Sequence, residues 1–185
     1  MITVAIITRN RLARLKACIA SVTPQLGEDD EILVLDTGSA DGTREWLEGC
    51  DKPDRVRLIT VEATAAGFAE ARNLAVANSR GSSIAFLDDD CTAPAGWLDL
   101  LRGELQSHAA VGGQVLPGRL YAYQFWWSPE LAWTIGMSGN SLANRVPGVY
   151  PATANFAATS VVLRELPFRG TDASFSHGRH YLGGR

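Results

Sequence analysis

Apolar and polar positions alternate in blocks along this chain. From Ile2 to Ile7 nearly every residue is apolar and many are branched, the pattern of a strand buried on both faces. Leu12, Leu15, Ile19 and Val22 then recur at three- and four-residue steps, which predicts a helix closed by Pro24. The alternation repeats with Glu31 to Leu35 as strand, Asp41 to Leu47 as a capped helix, Val56 to Val61 as strand and Phe68 to Ala77 as helix. Ser82 to Leu87 follows as strand, and a helix runs from about Pro94 to Gln106. Strands alternating with helices of this length imply an α/β class, with a mostly parallel sheet flanked by helices. Such sheets take their ligands at the carboxyl ends of the strands.

After Val111 the rhythm breaks at Gly112, Gly113, Pro117 and Gly118, and Trp126, Trp127 and Trp133 cluster within a short stretch. Asn155 to Leu163 restores a strand-like run. This second part, 111–185, reads as an irregular wall added to the alternating part, 1–110, and no repeat or linker separates the two, so 1–185 is expected to form a single domain. Its length of 185 residues suits one well-filled core. The tryptophans are expected in the core or in a subunit contact, as in a homo-oligomer, ahead of a role in stacking on a sugar or covering a lipid-linked acceptor.

Charge and cysteine usage narrow the function classes. With 17 basic and 20 acidic side chains the formal net charge is −3, so no positive field draws in a nucleic-acid backbone and no nucleic-acid partner is expected. Cys18, Cys50 and Cys91 form no Cys-x-x-Cys pair and no secretory signal layout precedes them, which points to a reducing, cytoplasmic setting with the thiols buried as small apolar groups. The most apolar stretch, Leu120 to Met137, is interrupted by Gln124, Ser128, Pro129 and Glu130; it does not read as a membrane span, leaving at most a peripheral contact with the inner face of a membrane.

The sharpest chemical signal is Ala85-Phe86-Leu87-Asp88-Asp89-Asp90, where an apolar strand ends directly in three carboxylates. Like charges packed this way call for a counter-ion, and oxygen ligands suit Mg²⁺ or Mn²⁺, which keep waters and share substrate phosphates. Helix capping by Asp90 or Thr92 is the competing reading, but a cap needs one such residue, not three. A second strand end, Asp36-Thr37-Gly38-Ser39-Ala40-Asp41-Gly42-Thr43, offers Asp36 either as an acceptor for a base or ribose or as part of a plain turn, whereas Asp41 reads as a helix cap. Thr8-Arg9-Asn10-Arg11 follows the first strand, and Arg72 and Asn73 lie early on a helix after Gly67; cations there suit a diphosphate. All these segments fall at predicted strand ends, which a parallel sheet brings to one edge.

The residues Val4-Ala5-Ile6-Ile7-Thr8-Arg9-Asn10-Arg11, Asp36 to Thr43, Ala71-Arg72-Asn73 and Asp88-Asp89-Asp90 together resemble family 2 glycosyltransferases of the GT-A, Rossmann-like fold. The resemblance implies a nucleotide-diphosphate sugar donor, often a UDP-sugar, with 1–110 as the donor-binding half and 111–185 on the acceptor side. Thr8 and Asp36 would lie near the base, Arg72 near the uracil or diphosphate and Asp88 near the ribose; Asp90, with Asp88, would hold a divalent metal, Mn²⁺ or Mg²⁺. Asn10, Arg11, Asn73 and Asp89 complete the expected donor site. Asn155 to Ser160 resembles the family's stretch lining the sugar and the acceptor, which is expected to be a saccharide or a lipid-linked one.

The implied reaction is direct displacement with inversion, the metal stabilising the leaving group and a carboxylate removing the acceptor proton. Members of the family usually draw that base from an acidic pair, and Tyr181-Leu182-Gly183-Gly184-Arg185 resembles the approach to it before the sequence ends, so the acceptor-side part reads as cut short. Asp172, His177 and His180 are the nearby candidates for the catalytic base. Two rival readings follow. A non-catalytic or truncated donor-binding module would lack the base, and a sugar nucleotidyltransferase would want a glycine-rich loop where Thr8-Arg9-Asn10-Arg11-Leu12 has no glycine.

Overall fold

The computed structural model describes residues 1–49, 51–60, 67–116 and 153–169. Cys50, the three clustered tryptophans, the stretch from Leu120 to Met137, the base candidates Asp172, His177 and His180, and Tyr181 to Arg185 lie outside the described residues. The first part runs β1 (Ile2–Thr8), α1 (Leu12–Val22), β2 (Glu31–Asp36), α2 (Thr43–Glu48), β3 (Val56–Thr60), α3 (Phe68–Asn78), β4 (Ser83–Leu87) and α4 (Trp97–Glu104). The chain then adds β5 (Ala110–Gly112), β6 (Asn155–Thr159) and α5 (Ser160–Glu165). Six strands form one sheet in the order β3-β2-β1-β4-β6-β5. The β1–β2, β1–β4 and β2–β3 pairs are parallel, and β6 runs antiparallel to both β4 and β5.

Period-two alternation sorts the strand residues onto two cores. Val4, Ile6, Ile32, Val34, Ala85 and Leu87 face Leu15, Ile19, Val22, Leu47, Trp97 and Leu98 of α1, α2 and α4. Their sequence neighbours Ala5, Leu33, Leu35, Ile84 and Phe86 face Ala71, Ala75 and Val76 of α3 and Leu163 of α5. Both faces are thus covered, which is why β1 and β2 read as unbroken apolar runs. Cys18 lies inside the first core, while Cys91 is half-buried at its edge.

Helix boundaries differ from the periodic pattern where glycines intervene. Gly42 and Gly96 have φ of 86° and 80°, so α2 and α4 cannot extend back through them to Asp41 and Pro94. The strand-like run from Asn155 ends at Thr159, and Ser160 to Glu165 is helical: Ser160 and Leu163 are buried while Val161 is exposed, a three-residue period that the β-branched Val161-Val162 pair conceals.

At the amino edge of the sheet, two buried carboxylates tie the strands to neighbouring chain. Asp30 accepts from Ile2 N (2.7 Å), Gly27 N (2.8 Å) and Arg102 Nη2 (2.7 Å). Glu31 accepts from Thr3 Oγ1 (2.8 Å), Arg80 N (2.9 Å) and the Arg57 guanidinium (3.1 and 3.2 Å). Burial alone would push the Asp30 carboxyl up, but Arg102 and the two backbone N–H donors outweigh it and hold the group below the usual carboxylate range.

Because the folded-state value of Asp30 is depressed, its stabilisation is present above its unfolded pKa of about 4 and is lost as pH falls through the folded value. Asp30→Asn, which faces the same donors with a neutral amide, is expected to lower stability by about 1–3 kcal/mol at pH 7. Urea melts of both proteins should show the gap narrowing as pH drops below about 4; a gap constant from pH 7 downward would contradict the charge-based account.

Candidate functional site

Strands β1, β2 and β4 deliver their last residues to the opposite, carboxyl edge. The register pairs Thr8 with Asp36, and the three aspartates follow immediately on Leu87. A cleft of about 600 Å³ opens here, lined among others by Thr8, Arg9, Arg11, Thr37, Phe68, Arg72 and all three aspartates. A second concavity of about 510 Å³ sits at the amino edge around Asp30, Glu31, Arg55 and Arg57. There Asp30 and Glu31 are already bound by internal donors, so the carboxyl edge is the better site for chemistry.

The three consecutive aspartates have different surroundings. Asp89 is buried, its Oδ2 accepting from Thr8 Oγ1 at 2.7 Å and its Oδ1 from Arg11 Nη1 at 2.9 Å. Asp90 is partly exposed and takes Arg11 Nη1 at 3.1 Å and Arg14 Nη1 at 3.4 Å on the same oxygen, Oδ2. The Asp88 carboxylate has no hydrogen-bonding or ion-pair partner among the described residues. Burial pushes the Asp88 carboxyl above its ordinary range, the Arg72 charge pulls it back, and the neighbouring Asp90 and Asp89 charges add to the rise.

Arg72 projects from α3 between two rings, its guanidinium carbon 6.0 Å from the Phe68 centroid and 5.8 Å from that of Phe168. Its Nη2 donates to Thr153 Oγ1 at 2.8 Å, and the head shares the cleft with Asp88. Burial draws its pKa down and the Asp88 charge draws it up. The guanidinium stays charged in either case, since arginine does not lose its proton in proteins.

Asn10, Asp36 and Asn73 do not line the cleft. Asp36 is fully buried and accepts from Ser39 N (3.0 Å) and Ser39 Oγ (2.5 Å), with Arg44 Nε 3.8 Å away. Asn10, at φ 55°, accepts from Ala40 N at 2.7 Å and so ties the loop after β1 to the loop after β2. Asp41 reinforces that junction by accepting from Leu12 N (2.9 Å) and Thr43 N (3.2 Å), serving the first turns of α1 and α2 together. Asn73 grips the backbone of Phe168 in both directions, at 2.8 and 2.9 Å, and so seats one of the rings beside Arg72.

Thr37, Phe68 and Arg14 belong to the site although the sequence singled out none of them. Thr37 bonds Thr8 O through its backbone N at 3.0 Å, bringing β2 into the cleft wall. Phe68 is 79% exposed, and an exposed aromatic opening a helix directly after Gly67 was the available signal. Burial, aided by the aspartate charges, pushes the Cys91 thiol up to about 11, and Cys18 is raised as well, so neither supplies a thiolate at neutral pH.

No three His, Cys, Asp or Glu side chains converge on a ready metal cage among the described residues. Asp88 and Asp90 nevertheless fit a hard divalent ion, the first without a hydrogen-bond or ion-pair partner among the described residues and the second partly exposed. Mg²⁺ and Mn²⁺ bind through one or two carboxylates, with the shell completed by water and substrate phosphates.

A parallel α/β core flanked by antiparallel strands, with an acidic strand end facing a cation across a cleft, is the GT-A architecture. The solved mannosyltransferase PcManGT from Pyrobaculum calidifontis, in complex with GDP-Man and Mn²⁺, superposes with a TM-score of 0.65 at 23% identity, over 92% of this chain and 48% of its own. Residues 3–164 match the family model of Glycosyl transferase family 2, and the chain belongs to that family. Glycosyltransferase AglE of Haloferax volcanii is 33% identical over 100 residues, which is 53% of this chain and 33% of the relative. The Escherichia coli UDP-Glc:alpha-D-GlcNAc-diphosphoundecaprenol beta-1,3-glucosyltransferase WfgD is 44% identical over 77 residues, 41% of this chain and 29% of the relative. The matches to these two curated relatives thus span about a third of their lengths.

Thr8→Val keeps the shape of a strand residue but removes the hydroxyl that satisfies Asp89. A stability loss of about 1–3 kcal/mol in urea denaturation is expected, the cost of a buried acceptor left short of a donor. Thr8→Ser should recover most of it, and a loss in Thr8→Ser as large as in Thr8→Val would show that the methyl group matters as much as the hydroxyl.

Proposed function

We propose that this chain forms the donor-binding part of a metal-assisted, inverting glycosyltransferase that uses a nucleoside diphosphate sugar, with UDP as the favoured nucleotide. The observation carrying this reading is the division of labour among the aspartates. All three aspartates line the cleft that also holds Arg72, but Asp89 is buried and bound to Thr8 and Arg11, which leaves Asp88 and the partly exposed Asp90 for a ligand. Two carboxylates alone would repel a pyrophosphate; two carboxylates with a divalent ion, facing an arginine, attract one.

Asp90, with Asp88, would hold Mn²⁺ or Mg²⁺, and Asp88 would also approach the ribose. Arg72, held between Phe68 and Phe168, presents a fixed cation toward the uracil or diphosphate. The ion, when bound, supplies charge neutralisation for the departing nucleoside diphosphate. Thr8 positions Asp89, and Asp36 stiffens the turn beside the base position through Ser39. The acceptor is a saccharide or a lipid-linked sugar whose hydroxyl, losing its proton to a base, attacks the donor's anomeric carbon in line, so that the bond to the nucleoside diphosphate breaks and the configuration inverts, with the enzyme working in the cytoplasm at the inner membrane face. WfgD is named for a UDP-Glc donor and an alpha-D-GlcNAc-diphosphoundecaprenol acceptor, which supports UDP and a lipid-linked acceptor, and PcManGT, solved with GDP-Man and Mn²⁺, supports a nucleoside diphosphate sugar with a metal. No helix among the described residues is long and apolar enough to cross a membrane.

Thermal melts with UDP, GDP and Mn²⁺, singly and in combination, test the proposal. UDP plus Mn²⁺ should raise the melting temperature beyond either alone, with ligand at a hundredfold excess over Kd contributing about 2.7 kcal/mol. Asp90→Ala should lose the metal-dependent part. Equal stabilisation of that variant would remove Asp90 from the metal site, and a larger response to GDP would reassign the base.

A further inference from the structure

The start of α1 breaks a local rule. The positive end of a helix favours acidic residues, yet Arg11 caps α1, Arg14 lies in its first turn, and that turn holds no acidic side chain. Both guanidiniums reach across to Oδ2 of Asp90, Arg11 Nη1 at 3.1 Å and Arg14 Nη1 at 3.4 Å, and Arg11 also holds Asp89 at 2.9 Å. We propose that Arg11 and Arg14 form a cationic latch on Asp90 that opens when the divalent ion and the diphosphate arrive together.

The inference rests on the reading of Asp90 as a metal ligand. Two side-chain cations sit on Oδ2 of Asp90, the carboxylate that would hold the ion. Both pairs are solvent-facing, with the arginine side chains 48% and 64% exposed, so each is weak and readily exchanged. An ion seated on Asp90 repels both guanidiniums. Arg11 cannot drift away, because its bond to the buried Asp89 tethers it at the cleft. Arginine carries five donors in a fixed fork, and those released from Asp90 suit the oxygens of a diphosphate. The nucleotide thus receives the cations that the metal displaces, and the metal is admitted where the nucleotide draws them off. Each ligand strengthens the other, and the metal alone binds poorly.

Electron paramagnetic resonance of free Mn²⁺, titrated with the protein with and without UDP, reads both affinities directly. Among the described residues Arg14 bonds only to Asp90, so Arg14→Gln leaves the Arg11–Asp89 bond in place. Without nucleotide it is expected to bind Mn²⁺ about three- to fivefold more tightly than wild type, the scale of one exposed ion pair. The gain in Mn²⁺ affinity on adding UDP should shrink by the same factor. Arg11→Gln, checked for an intact melting transition, should shift both quantities the same way and also weaken UDP. Unchanged or weaker nucleotide-free Mn²⁺ binding in a folded Arg14→Gln protein overturns the latch while leaving the metal site standing. Absence of Mn²⁺ uptake by wild type even with UDP overturns the metal site and the latch together.

Discussion

Asp89 is the joint of the carboxyl edge. A carboxylate this buried is tolerable only when its lone pairs are taken up, and the donors come from the end of β1 and the cap of α1. Its neighbours in sequence inherit the consequence. With Asp89 meeting Thr8 and Arg11, one internal hydrogen-bond pattern gives three consecutive aspartates different surroundings: a buried anchor flanked by Asp88 and by the partly exposed Asp90. Arg11 adds a further condition, because it serves the anchor and Asp90 from the same nitrogen.

The two edges of the sheet put carboxylates to opposite uses. At the amino edge, Asp30 and Glu31 each collect donors from several chain segments. Such groups stabilise the fold and leave little capacity for a ligand. At the carboxyl edge, Asp88 lacks a partner among the described residues and Asp90 has only exposed, exchangeable ones. Incomplete satisfaction of buried or half-buried charge is unfavourable in isolation, and it persists where a ligand completes the arrangement.

Much of this was legible in the residues. The apolar runs of β1 and β2 announced strands buried on both faces, and their ends marked the cleft because parallel strands share an edge. Strand β5 was not legible, since a three-residue strand ending in Gly112 is set by pairing with β6 and carries no period of its own. Asn10 and Asn73 look, as polar residues beside strand ends, like groups that read a substrate. Their amides are instead spent on Ala40 and on the backbone of Phe168, because local loops also need donors and acceptors that sequence cannot apportion. Arg14 shows the reverse case: on a helical pattern it is an ordinary exposed arginine, and only the fold brings Asp90 to it.

The cleft also depends on chain that returns from far along the sequence. Strand β6 lies between β4 and β5, so residues 1–110 by themselves would expose the edge of β4 and the ring of Phe86, which packs against Phe156 and Phe168. Arg72 has the same dependence, because its hydroxyl partner Thr153 and one of its two rings, Phe168, come from this returning segment, which Asn73 in turn holds down. The cation facing Asp88 is therefore oriented by residues near β6 and α5 as much as by its own helix. The parts 1–110 and 111–185 can be distinguished along the sequence, but in three dimensions the second supplies the wall that aims the arginine of the first.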